Sequence, residues 1–181
     1  MSMVPNAVPV VVEVPSPNFD NGRQGYGVEA IVLHIMQGTL QGTDAWFQNP
    51  VSQVSAHYGV GLNGEIHKYV QTDDTAWHAG EVVDPVANLV TTVHPGVNPN
   101  LYTVGIEHEG YSGDPPAEAQ YTASLWLCEQ VLQEFDTINV DRDHILLHHE
   151  IDANHSGCPG SAFPIDRLMA DLTAWSSGAR L

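Results

Sequence analysis

An α/β fold, a single domain whose mixed β-sheet is flanked by helices, is what the sequence predicts. Three observations point there. Short β-branched runs alternate with helical patterns, two segments carry an apolar stripe at helical spacing, and one pair of strand-like runs is joined by a tight-turn signal. With 181 residues, 43% of them hydrophobic, the chain is long enough to bury a core, and no repeat or linker divides it. One domain over residues 1–181 is expected.

The stretch VPNAVPVVVEVPSP, near the start, is apolar but broken by prolines and a glutamate, so residues 1–25 read as an arm or an edge strand. It lacks a basic leader and makes a poor secretion signal. EAIVLHIM (29–36) has the apolar density of a buried strand. GTDAWFQNP (42–50) offers a short helix, with Thr43 as its cap and Pro50 beyond its end. SAHYGVGLNGEIHKYV (55–70) reads as a hairpin turning at Asn63-Gly64. Residues 81–101 form a long irregular connection, of the kind that often walls a cleft. YTVGIEHEG (102–110) is another strand. Tyr121, Leu125, Cys128, Leu132 and Phe135 recur at spacings of three and four, predicting a helix over 117–135 behind Pro115-Pro116. DHILLHH (143–149) reads as a strand, and PIDRLMADLTAW (164–175) as a final helix facing inward through Ile165, Leu168, Met169, Leu172 and Trp175.

Charge narrows the partners. The formal net charge is -17, with Lys68 the single lysine. Nucleic acid is a poor partner for such a chain, and an anionic membrane or polymer gains no long-range attraction. No apolar run approaches the ~18–20 residues of a membrane span.

Two cysteines are too few for a disulfide framework. Cys128 sits on the helical stripe and reads as a small buried hydrophobe. Cys158 follows Gly157 and precedes Pro159-Gly160 in a loop, where a ligand or a reactive thiol belongs. His34 closes one strand, His148 closes another, and Cys158 lies ten residues further on. Two imidazoles and a thiolate suit an open zinc site with one position left for water. A metal-free nucleophile, Cys158 working with His149 or His155, uses the same residues. Alternation along a strand lets only one of His148 and His149 face a metal. It also places Glu107 and Glu109 on one face, where a carboxylate can serve as a base.

Five ordered segments, IVLHIMQG, SAHYGVGLNGEIHKYV, TAWHAG, TVGIEHEG and LLHHEIDANHSGCPG, lie within residues 29–164. They resemble the zinc-dependent N-acetylmuramoyl-L-alanine amidases of the type-2 amidase and peptidoglycan-recognition-protein superfamily, phage endolysin catalytic domains included. The resemblance implies a Zn2+ site of His34, His148 and Cys158, with Glu107 as the catalytic base. It implies hydrolysis of the amide between the lactyl group of N-acetylmuramic acid and L-alanine in bacterial peptidoglycan. It places Trp77 and His78 in the substrate cleft and His57 near the site, in a supporting or substrate role. Two positions depart from the family pattern. Ser156 stands where relatives often carry Lys or Thr, so its hydroxyl, or His155, is left to help the developing oxyanion. Ala56 stands where some relatives place a tyrosine. A non-catalytic peptidoglycan-binding module of the same fold is the rival, although such modules typically lack the cysteine. The missing leader and wall-binding repeats fit a phage lysin, made in the host cytoplasm and acting on the cell wall.

Overall fold

The computed structural model describes residues 8–178, so the first seven residues of the expected arm lie outside the described part. In chain order the regular elements are β1 (Val11–Glu13), β2 (Phe19–Asp20), β3 (Ala30–Ile35), α1 (Leu40–Phe47), β4 (Tyr58–Val60) and β5 (Ile66–Lys68). Then follow β6 (Thr75–Ala76), β7 (Thr103–His108), α2 (Glu118–Glu134), β8 (Ile145–Leu147) and α3 (Ile165–Ser176). Six strands form one sheet in the order β1-β5-β4-β7-β3-β8, and β2 pairs with β6 beside it. The sheet is mixed: β4 and β5 are antiparallel, while β4, β7, β3 and β8 run parallel. The expected edge strand is β1, which lies parallel to β5.

Each hydrophobic period found its face. Ile31 and Leu33 of β3, Val104 and Ile106 of β7, and Ile145 and Leu147 of β8 point to one side. There α2 and α3 cover them with Tyr121, Leu127, Cys128, Val131, Leu168 and Leu172. Ala30, Val32 and Leu146 point the other way, under Leu89, Val90, Leu101 and Tyr102. Residues 81–101 are therefore less irregular than expected: Leu89–Val93 and Pro99–Leu101 form short helical turns that roof this second core. Leu168 is fully buried among the helix–sheet contacts, so Leu168→Ala is expected to destabilise the fold by about 2–5 kcal/mol. Urea unfolding measures this, and a loss under about 1 kcal/mol would mean that α3 is not part of the cooperative core.

One cap was misplaced. Thr39, not Thr43, caps α1, its Oγ1 accepting the Gly42 N–H at 3.1 Å. The helix starts earlier because Leu40, 3% exposed, must sit on it to reach the core, and the Thr43 amide bonds back to the Thr39 carbonyl. The turn at Asn63-Gly64 is as expected, with Gly64 at φ +86°. No helix among the described residues is long and apolar enough to cross a membrane.

Candidate active site

Strand register brings the chemistry together. His34 on β3 is paired with Glu107 on β7, and Leu33 with Leu147 on β8, so His148 emerges next to His34. Alternation puts His34, Glu107 and His148 on the side of Ala30, Val32 and Leu146, away from α2 and α3. All three gather where parallel strands end, the usual place for a site in such sheets.

Beyond Leu147 the chain leaves the sheet, which corrects the expected strand through residue 149. His148–Glu150 is a 3₁₀ turn. The Glu150 carboxylate accepts the Leu147 N–H at 2.7 Å and pairs with Arg142 at 2.5 Å, and this holds the turn. His149 faces away from the cluster because its amide and its Nδ1 both bond the Cys158 carbonyl, at 3.1 and 3.0 Å. That double contact returns the loop. Cys158 Sγ then lies 3.9 Å from His34 Nδ1 and accepts the Ile35 N–H at 3.3 Å.

Ligand atoms of His34, His148 and Cys158 lie within 4.8 Å of one another, and all three residues are buried. A tetrahedral zinc with Zn–N near 2.0 Å and Zn–S near 2.3 Å puts nitrogen and sulfur about 3.6 Å apart, close to the His34–Cys158 separation. The electrostatics point the same way. Burial, reinforced by His148 and His78, holds the His34 imidazole neutral, well below its ordinary range, and burial lowers His148 to about 4. Burial, with Glu107 nearby, pushes the Cys158 thiol up to about 12. Desolvation alone raises Glu107 to about 8, and its Oε2 is sealed from solvent with no hydrogen-bond partner. Two neutral imidazoles, a thiol and an orphaned carboxyl in one dry corner form a donor set that a divalent cation satisfies. The residues fit zinc.

The cleft in front of them has a volume of about 410 Å³ and is flanked by Trp46 and Trp77. Trp77 sits where the sequence placed it, its Nε1 donating to Asp20 at 2.9 Å. Trp46, 55% exposed, was missed as a site residue, although a large aromatic on the polar side of a short helix was its signal.

The other expected residues lie at different depths around the cleft. His57 is fully buried and absent from the cleft wall; its Nδ1 accepts the Gly105 N–H at 3.0 Å, and the Arg23 guanidinium lies 2.9 Å from its Nε2. Of the supporting and substrate roles expected for it, this burial fits the supporting one. Ser156 ends a short 3₁₀ turn, Ala153–His155, that points its side chain to solvent outside the cleft lining. His155 lines the cleft instead, anchored through Nδ1 to the buried Asp152 at 2.7 Å and stacked on His148 at 4.5 Å. His78 does line the cleft, but its Nδ1 is engaged with His34 Nε2 at 3.0 Å. Glu109 is also clear of the cleft, its Oε2 accepting the Leu62 N–H at 2.8 Å. His108 supports from behind, Nδ1 donating to the His34 carbonyl at 2.8 Å.

Gly105 leaves room for this arrangement. A Cβ there would lie 2.5 Å from His78 Cγ. Gly105→Ala is therefore expected to displace the His78 ring and to cost about 1–3 kcal/mol of stability. Thermal unfolding checks it, and an unchanged midpoint would mean the ring moves aside freely.

The family model described as N-acetylmuramoyl-L-alanine amidase matches residues 24–161, roughly three quarters of the chain. The chain belongs to that family. The amidase is 30% identical, over 90% of its own length and 90% of the relative's, to the 1,6-anhydro-N-acetylmuramyl-L-alanine amidase AmpD of Enterobacter cloacae. The AmpD of Haemophilus influenzae is 26% identical over 88% of this chain and 91% of its own. N-acetylmuramoyl-L-alanine amidase A of Achromobacter lyticus is 38% identical, but over only 47% of this amidase and 39% of that longer protein. In fold the amidase resembles a crystal structure of AmpD, at TM-score 0.72 and 24% identity over 91% and 94% of the two chains. It also resembles the Drosophila peptidoglycan recognition protein SD, at TM-score 0.62 and 18% identity over 88% and 93%.

Proposed function

We propose that the amidase cleaves the bond between the lactyl carbonyl of N-acetylmuramic acid and L-alanine in a muropeptide, using zinc held by His34, His148 and Cys158. The observation that carries this reading is the convergence of the three ligand atoms beside the partnerless Oε2 of Glu107. When bound, zinc polarises the amide carbonyl and acidifies a water. Glu107 Oε2 would take the proton of the attacking water and then deliver it to the departing alanine nitrogen. The C–N bond breaks, a C–O bond forms, and the products are a muramic carboxylate and a peptide with a free amino terminus. Trp46 and Trp77 offer flat indole faces to the sugar or the stem. His155, held by Asp152, stands at the mouth where Ser156 was expected.

The geometry disfavours the rivals. A non-catalytic module has no use for a buried thiol and an unpaired carboxyl beside it. A cysteine nucleophile needs a base on Sγ, and the imidazole that meets Sγ is that of His34, at 3.9 Å, itself one of the three clustered ligands, while His149 bonds the Cys158 carbonyl and His155 bonds Asp152.

The lytic, phage-type setting expected from the sequence is proposed for polymeric wall. A second reading is a soluble 1,6-anhydromuropeptide substrate. It is favoured by the names of the AmpD relatives and by the charge of -17, which gives no attraction to an anionic polymer. Both substrates should be tested with mass spectrometry of the products. New free amino-terminal alanine is expected, and the substrate that yields it faster decides the setting. Cleavage within the glycan or between stem residues, or full activity after chelation, overturns the zinc-amidase reading.

A further inference from the structure

His34 has two nitrogens, and zinc needs the one facing Cys158 to be bare. Something must hold the proton on the other. The hydrogen bonds behind the site supply it in a chain that begins at a backbone oxygen. Pro99 O can only accept, and Thr103 Oγ1 lies 2.7 Å from it, so the hydroxyl proton of Thr103 is committed there. Toward His78 Nε2, 3.3 Å away, Thr103 Oγ1 can then only accept. That contact places the His78 proton on Nε2 and leaves His78 Nδ1 bare. His34 Nε2, 3.0 Å from His78 Nδ1, must donate. The lone pair of His34 Nδ1 is thereby turned toward Cys158 Sγ.

We propose that His78, expected from the sequence to bind substrate, is a positioning residue that fixes the His34 tautomer for zinc through a relay ending at Thr103 and the Pro99 carbonyl. The inference rests on the zinc reading of the site. The ring is socketed for the task. Asn100 Oδ1 accepts the backbone N–H of His78 at 3.1 Å and that of Ala79 at 2.7 Å, and Gly105 leaves the space in which the imidazole lies. The edge-on contact of the rings of His78 and His34, with centroids 5.1 Å apart, suits a nitrogen-to-nitrogen hydrogen bond and not a stacking contact. Partners of this kind typically change metal affinity by about 10–100-fold when removed.

Three variants and two readouts test the relay. His78→Leu keeps apolar bulk but offers no acceptor, His78→Asn restores an acceptor oxygen near the position of Nδ1, and Thr103→Val removes the hydroxyl. Zinc affinity is measured by competition with a chromophoric chelator. The His34 tautomer is read by nitrogen NMR of the metal-free protein. His78→Leu is expected to weaken zinc binding by about 10–100-fold and to let protonated Nδ1 appear on His34. His78→Asn should stay near wild type, and Thr103→Val should fall between the two. Wild-type affinity in His78→Leu, or a wild-type His34 protonated at Nδ1, overturns the relay. Equal loss in His78→Leu and His78→Asn would reduce His78 to packing and also overturn it. Wild-type protein that binds no zinc defeats the metal reading instead, while the NMR tautomer still decides the hydrogen-bond chain. Should His78→Leu not fold, Thr103→Val and the wild-type spectrum carry the decision.

Discussion

Glu107→Gln is expected to lower turnover by about 10²–10⁴-fold while zinc still binds at one ion per chain. Glutamine keeps the shape of the side chain and removes only its basicity, and Glu107 is not among the three clustered ligands. Its Oε2 has no hydrogen bond to lose, so the loss cannot be ascribed to a broken network. Stability should move the other way in the metal-free protein. Burial raises the Glu107 carboxyl from 4.5 to about 8, so the folded state holds its proton more tightly than the unfolded chain does. Its contribution is therefore complete below about pH 4.5 and is lost as pH rises toward 8. Glutamine escapes that loss. The variant should match wild type in acid and exceed it increasingly above pH 4.5, levelling off past about 8. Unfolding curves across that range, alongside kinetics on a muropeptide, check both halves. Near-normal turnover would remove Glu107 from the chemistry.

Cys158→Ala is expected to abolish stable zinc binding, and activity with it. Structural zinc sites contribute about 10–16 kcal/mol in total, or roughly 3 kcal/mol for each of four ligands, so losing one costs about 10²-fold in affinity. The ligand lost here is also the one that brings negative charge, since the imidazoles are neutral, so the measured loss should lie at or above that figure. The fold should survive, because the return of the loop is held by the Cys158 carbonyl on His149 and not by the sulfur alone. Zinc titration and circular dichroism of the same sample separate the two effects. Tight zinc binding by a well-folded Cys158→Ala protein would remove the thiolate from the site.

Much of the fold was legible because it rests on local rules. Dense apolar and β-branched runs marked β3, β7 and β8, the three-and-four spacing marked α2 and α3, and Asn63-Gly64 marked the turn between β4 and β5. The convergence of His34, His148 and Cys158 was also readable, since strand ends and a short return loop leave few other places for them. What was not legible depended on contacts between distant segments. Thr43 looked like a cap until Leu40 was pulled into the helix by the core. His57 was open to a supporting or a substrate role, and Arg23, thirty-four positions earlier and packed against it, favours the first. Ser156 and His155 are neighbours in sequence, and only the 3₁₀ turn ahead of Cys158, tied down by Asp152, determines which of them meets the cleft. His78 matched a cleft motif, but its role lies in a hydrogen-bond path through Thr103 and Pro99 that no spacing reveals.

The two-sided sheet has a practical corollary. Since His34 and Glu107 stand on strand positions whose neighbours press against α2 and α3 from the other side, and His148 and Cys158 emerge beside them, the greasy underside is a separate design region. Residues such as Leu127, Val131 and Leu172 can be recombined to harden the scaffold against heat, while the working surface keeps its dimensions.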